Sequence, residues 1–140
     1  MYLLDTNVVS EIRKVAAGRG DARVGAWLEG IPEDAAFISA MTVFELELGI
    51  LNLAHDKRQT EILRRWLDDI VMPNFADRIL PMTGEIASRC ATLHAPDPFS
   101  ERDGWIAATA LVHSLTIVTR NTKDFVRSGA KMINPWEAPA

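Results

Sequence analysis

Short apolar runs alternate with longer amphipathic stretches along the whole chain, and few folds accept that pattern. Tyr2-Leu3-Leu4, Ala36-Phe37-Ile38-Ser39, Arg78-Ile79-Leu80-Pro81, Leu115-Thr116-Ile117-Val118-Thr119 and Lys131-Met132-Ile133 read as strands. Between them, Val8, Val9 and Ile12 recur at helical spacing, as do Val24, Trp27 and Leu28, then Val43, Phe44, Leu46 and Ile50. A longer helix is expected from Asp56 to Val71, with Ile62, Leu63, Trp66 and Ile70 on one face and Pro73 punctuating its end. Ile86, Ala87, Cys90 and Leu93 mark another, Trp105 to His113 the next, and Asp124 to Val126 a short last one. Pro96 and Pro98 make Ala95 to Ser100 a loop. Strands that are apolar throughout belong in a sheet covered on both faces. The expected architecture is a three-layer α/β domain with a mostly parallel central sheet of about five strands.

At 140 residues the chain fits one domain, 1–140. Its 48% hydrophobic and 24% charged fractions exclude disorder and collagen-like repeats. A single cysteine, Cys90, excludes an intramolecular disulfide framework and points to a reducing compartment. No basic, apolar leader opens the sequence, and no segment approaches the roughly 18 apolar residues of a membrane span. A cytoplasmic protein with no membrane partner is the expectation.

In open parallel sheets, sites form beyond the carboxyl ends of the strands. Asp5 closes the first strand, with Thr6 and Asn7 beside it. Glu45 falls in the first turn of the helix after the second strand, Asp103 opens the helix before the fourth, and Asp124 lies just beyond that strand. Each acid has a purely structural explanation. Thr42 to Glu45 and Ser100 to Asp103 fit the capping box, Asp5 is placed to cap a helix, and Asp124 to sit in a first turn. Capping, however, does not require all four to share one edge of the sheet. Converging carboxylates repel unless a cation neutralises them, and all-oxygen donors suit Mg²⁺ or Mn²⁺ rather than zinc. The chemistry indicated is metal-dependent phosphoryl transfer. His55, His94 and His113 show no metal-ligand spacing, Cys90 lies on an apolar helix face, and phosphate-loop and nucleophile-elbow motifs are missing.

Taken in order, Leu3-Leu4-Asp5-Thr6-Asn7, Thr42-Val43-Phe44-Glu45-Leu46, Asp103-Gly104-Trp105-Ile106-Ala107-Ala108-Thr109-Ala110 and Thr116 to Phe125 resemble the PIN-domain ribonucleases. The likeness is to VapC-type toxins of bacterial toxin–antitoxin pairs, and Asn134-Pro135-Trp136 is similar to how many of these end. It spans essentially the whole chain. It implies an α/β/α PIN fold and a Mg²⁺-dependent endoribonuclease leaving 5′-phosphate and 3′-hydroxyl ends. It further implies Asp5 and Asp103 as primary metal ligands, Glu45 and Asp124 completing the cluster directly or through water, and Thr6, Asn7 and Thr119 supporting it. The implied partners are RNA, a cognate antitoxin and a second copy in a homodimer, with DNA reached only through the antitoxin. Asp97 would be the substitute if Asp103 were only a cap, and Gly104-Trp105 is bulkier than the pattern at its second residue.

A formal net charge of -4 argues at first against nucleic acid. Setting the four acids aside, however, 19 acidic residues become 15, equal to the 15 basic ones. Arg13, Lys14, Arg120 and Lys123 are the candidate RNA phosphate contacts. Trp27, Phe44, Leu48, Leu51, Leu53 and Trp66 are either core or the lining of a groove for an antitoxin helix or a dimer face. Two other readings compete. A dehalogenase-like phosphatase needs a second acid where Asn7 stands, and a non-catalytic regulatory partner would use the acids only as caps.

Overall fold

In the computed structural model, which describes residues 1–137, the five apolar runs become five strands. They are β1 (Tyr2–Leu4), β2 (Ala36–Ser39), β3 (Ile79–Leu80), β4 (Thr116–Val118) and β5 (Met132–Ile133). Every pairing is parallel, in the order β3-β2-β1-β4-β5. Six helices cover the sheet: α1 (Thr6–Ala16), α2 (Ala22–Glu29), α3 (Ala40–Leu51), α4 (Lys57–Trp66), α5 (Gly84–His94) and α6 (Glu101–His113).

The three layers follow from the two-residue period of a strand, which sends neighbouring side chains to opposite faces. Leu4, Ile38 and Val118 enter one core with Val8, Val9, Leu46 and Leu67. Leu3 and Ile117 enter the other with Met41, Ile106, Ala107 and Phe125. Runs without polar alternation are what two buried faces demand. No helix among the described residues is long and apolar enough to cross a membrane.

Strand and helix ends fall close to the expected ones, with three informative differences. The helix expected over 56–71 continues from α4 through a π-helical turn, Leu67–Val71, and a final turn, Met72–Asn74, that contains Pro73. Proline has no N–H to give, and the widened turn before it absorbs the break in the ladder. α6 begins at Glu101, four residues before the expected start, with Ser100 in the N-cap position. The expected short helix at 124–126 is two 3₁₀ turns, Thr122–Asp124 and Val126–Ser128. The bulky Gly104-Trp105 pair also finds its reason. A Cβ at Gly104 would stand 2.5 Å from His94 Cε1 and 3.3 Å from Cys90 Sγ, so glycine lets α5 and α6 close, with Trp105 half-buried beside them.

From β1 the chain steps outward to β2 and β3, then returns to lay β4 on the other side of β1. The connections diverge there, opening a crevice above the carboxyl ends of β1 and β4.

Candidate active site

Asp5 is the first residue past β1, and its N–H donates to Val118 O at 2.9 Å, closing the β1–β4 ladder. The residue is 6% exposed, and both carboxylate oxygens accept hydrogen bonds. Oδ1 accepts the Thr6 N–H at 2.8 Å, capping α1, while Oδ2 accepts the Thr119 hydroxyl at 2.8 Å and the Asn7 amide at 3.3 Å. Thr119 is buried and accepts the Asn121 N–H at 3.0 Å. Asn7 Oδ1 accepts the Arg120 N–H at 3.2 Å. The segments after β1 and β4 are thus knitted together across the crevice. The cap expected of Asp5 forms, but it uses only one of its oxygens.

Glu45 arrives from α3. Ser39 caps that helix, its hydroxyl accepting the Thr42 N–H at 3.1 Å. The expected capping box from Thr42 to Glu45 is therefore not formed, and Glu45 stands in the second turn rather than the first. Its Oε1 accepts the Thr6 hydroxyl at 2.8 Å, and buried Thr42 places its own hydroxyl 3.2 Å from that of Thr6. Its Oε2 lies 3.8 Å from the Arg102 guanidinium.

Asp103 is the third residue of α6, and the Ser100 side chain at the N-cap accepts no backbone N–H of the helix. The second expected capping box is thus absent as well. Asp103 and Glu45 share an open cleft of about 620 Å³ with Met41, Phe44, Ser100 and Arg102. A smaller hollow of about 270 Å³ joins Asp103 to Asp124, Lys123 and Arg127. Asp124 ends a 3₁₀ turn instead of opening a helix, and the residue is exposed. Asp97 lies exposed in the preceding loop, its carbonyl bound by Arg127.

Burial pushes the Asp5 carboxyl above its ordinary range. Hydrogen bonds from Thr119 and Thr6 pull it back, and the charges of Glu45 and Asp124 push it further up. Asp103 is also raised, by burial first and then by the charge of Asp5, with a further push from Asp124. The acids therefore repel one another across the crevice. Both carboxyls bind protons more tightly folded than unfolded. Their contribution to stability is complete below the unfolded value of 3.8 and is lost as pH rises through the raised values. In EDTA at pH 7, Asp103→Asn should therefore melt at a higher temperature than the unsubstituted chain, and the gap should close as pH falls towards 4. An Asp103→Asn protein that melts lower at pH 7 would contradict this.

The donor set fits a hard divalent cation. Among the described residues no three carboxylate, histidine or cysteine side chains are drawn together at one ligating point. Mg²⁺ is commonly held by one or two carboxylates with the remaining positions filled by water. Asp5 and Asp103 are two carboxylates near enough for the charge of the first to be felt at the second.

The four candidate phosphate contacts separate in space. Lys123 lines the hollow with Asp103 and Asp124. Arg120 lies over the Trp136 ring, 5.4 Å from its centroid. Arg13 and Lys14 instead line a groove of about 250 Å³ with Thr6, Glu45, Leu53, Leu63 and Trp66. Of the surplus apolar residues, Leu53 and Trp66 line that groove, and Trp27 packs on Tyr2 at 5.1 Å beside the core. Phe44 and Leu51 are exposed, and Leu48 is half-buried.

Sequence reasoning missed Thr42, Ser39 and Arg102, and the way Arg127 is used. Arg127 donates to the carbonyls of Leu93, Asp97 and Pro98 and lies 4.8 Å over the Phe99 ring. It ties the segment after Asp124 to the loop before Asp103. Only the hydroxyls two or three residues from an acid carried a usable signal.

A family described as PIN domain matches residues 2–130. Toxin FitB of Neisseria gonorrhoeae is 38% identical over 97% of this chain and 99% of its own length. VapC ribonuclease Y4jK of Sinorhizobium fredii is 37% identical over 98% and 99%. The crystal structure of FitAcB from Neisseria gonorrhoeae superposes with a TM-score of 0.87 at 37% identity, covering 99% of this chain and all of that one. A toxin–antitoxin complex from Klebsiella pneumoniae gives 0.67 at 27% identity, covering 99% and 100%.

Proposed function

The chain belongs to the PIN-domain family, and on that footing we propose that it is a metal-dependent endoribonuclease, the toxin of a toxin–antitoxin pair. The observation that carries this reading is the gathering of acids from distant segments: Glu45, bound by the Thr6 hydroxyl next to Asp5, shares one cleft with Asp103. Helix capping alone does not bring them together. The ribonuclease activity in the name of the Sinorhizobium relative supports the choice of RNA, and the Klebsiella complex supports an antitoxin partner.

Asp5 and Asp103 would hold Mg²⁺ or Mn²⁺, with Glu45 and Asp124 acting directly or through water. Such an ion neutralises the acids, polarises the phosphoryl oxygens and acidifies a bound water. The chain's part is positioning. Thr119 and the Thr6 N–H fix the two oxygens of Asp5, and the Thr6 hydroxyl fixes Glu45. Asn7 and Thr119 keep the two segments in register. A water oxygen would bond to phosphorus in line as a carboxylate takes up its proton, and the P–O3′ bond would break, the leaving oxygen taking a proton from solvent to give a 3′-hydroxyl beside the 5′-phosphate. Lys123, in the hollow with Asp103 and Asp124, would meet phosphate charge there, whereas Arg120 is held over Trp136.

The phosphatase alternative loses ground on geometry, because Asn7 spends its amide on Asp5 and its carbonyl on Arg120. The groove containing Thr6 and Glu45 gives an antitoxin segment a path to the acids, with Leu53, Leu63 and Trp66 as its apolar floor. Assembly as a homodimer in the cytoplasm, with DNA reached through the antitoxin, completes the reading.

The test is incubation of the purified chain with RNA and Mg²⁺, followed by mapping of the fragment ends. Fragments bearing 5′-phosphate and 3′-hydroxyl ends, abolished by EDTA and restored by Mn²⁺, are expected. Cleavage that persists in EDTA overturns the mechanism, and no cleavage in Mg²⁺ or Mn²⁺ favours a non-catalytic partner.

A further inference from the structure

Arg102 stands where a metal site gains nothing from a positive charge. Its guanidinium lies 3.8 Å from Glu45 Oε2, too far for a hydrogen bond. It weakens the negative potential that would draw a divalent cation to the neighbouring Asp103. It is also held rather than loose, since it lies 5.4 Å over the ring of Phe44, a phenylalanine 50% exposed. Its own side chain is 48% exposed and lines the cleft of about 620 Å³ that contains Glu45 and Asp103. Of the nearby cations, Arg127 is engaged on three carbonyls and Arg120 over Trp136, while Lys123 lines the separate hollow beside Asp124.

We infer that Arg102 exchanges partners, neutralising Glu45 in the free protein and binding a phosphate of the RNA strand when a divalent cation sits among the acids. Guanidinium matches phosphate better than it matches the present contact, because its planar fork donates two parallel hydrogen bonds to two phosphate oxygens. The Phe44 ring keeps the fork at the cleft mouth through the exchange. The exchange lets one position serve both states: the acids are partly neutralised without metal, and the substrate meets a positive group once metal has taken over that task. The inference rests on the metal-dependent ribonuclease reading and adds to it the residue that meets the strand on the Glu45 side.

The experiment compares the full chain with Arg102→Ala and Arg102→Lys in two titrations. Mn²⁺ alone is titrated by calorimetry without RNA. A single-stranded RNA oligonucleotide is titrated by fluorescence anisotropy in Ca²⁺ over a range of salt. Arg102→Ala is expected to bind Mn²⁺ about two- to fivefold more tightly, the strength of an exposed ion pair. The same variant is expected to bind RNA about tenfold more weakly, with a salt slope smaller by about 0.7. Arg102→Lys should return Mn²⁺ affinity towards the original and recover RNA binding only in part, lacking the fork. A purely structural role would not move the two affinities in opposite directions. If the unsubstituted chain binds Mn²⁺ and RNA and Arg102→Ala changes neither, or weakens both, the partner exchange is wrong while the ribonuclease reading stands. If the unsubstituted chain binds no Mn²⁺, the metal reading fails and takes the exchange with it.

Discussion

Asp5→Asn and Asp103→Asn should each slow RNA cleavage by on the order of 10²–10³-fold without unfolding the chain. The loss corresponds to several kcal/mol of transition-state stabilisation, the usual scale of a metal's electrophilic contribution. Asparagine preserves volume and shape at both positions, so the change isolates charge. At position 5 it can still cap α1 through the Thr6 N–H, but its amide meets the Thr119 hydroxyl, which now donates to the carboxylate and also accepts from Asn121. At position 103 no cap is at stake, since Ser100 and Asp103 form no capping box. Asp103→Asn is therefore the cleaner of the two. Their effects should not add, because either substitution disables the same unit. Initial rates in Mg²⁺ with circular dichroism melts as a folding control read the result. Rates within tenfold of the unsubstituted chain would contradict it.

Phe125→Ala should cost about 3–5 kcal/mol of stability. The ring is fully buried among Leu3, Met41, Ile106 and Ile117 on one face of the sheet. Its backbone joins both 3₁₀ turns, the N–H donating to Thr122 O at 3.0 Å and the carbonyl accepting the Ser128 N–H at 3.0 Å. Removing the ring leaves a cavity beneath a segment with little regular hydrogen bonding of its own, so that segment is the first to loosen. Asp124 and Lys123 immediately precede it, and cleavage should fall together with stability. Phe125→Leu retains most of the volume and should cost less than about 1.5 kcal/mol. Urea unfolding of the three proteins measures the difference. A cost below about 1 kcal/mol for the alanine variant would show that the ring is not the anchor.

The sheet was legible because two-sided burial leaves a run of apolar residues that nothing else in a short chain explains. Leu3-Leu4 and Ile117-Val118 reveal the strands, and the polar residues right after them mark where the strands stop. The helix over 56–71 was harder, because hydrogen bonding widens by one residue at Leu67–Val71, burying Leu67 and Val71 and leaving Ile62 and Ile70 of the expected face exposed. Side-chain spacing does not register that change. Asp5 and Asp124 stand out by their position after strands, and Glu45 and Asp103 by theirs near helix starts, but the surroundings of all four do not show in the sequence. Thr42 and Ser100 share the spacing of a capping box, yet Ser39 takes the cap of α3 and Ser100 makes none, because backbone entry angles decide capping and the sequence does not state them. Arg102 and Arg127 escaped for a related reason. A long side chain is assigned to solvent by default, and only the packing of Phe44 and Phe99 shows that these two are held.

On the proposed reading, Asp5 and Asp103 together hold a divalent cation. Calorimetric titration of Mn²⁺ into the purified chain, beside a chain carrying both Asp5→Asn and Asp103→Asn and without RNA, addresses it directly. Saturable binding to the first and none to the second is expected. Equal binding by both proteins, or none by either, would contradict the claim.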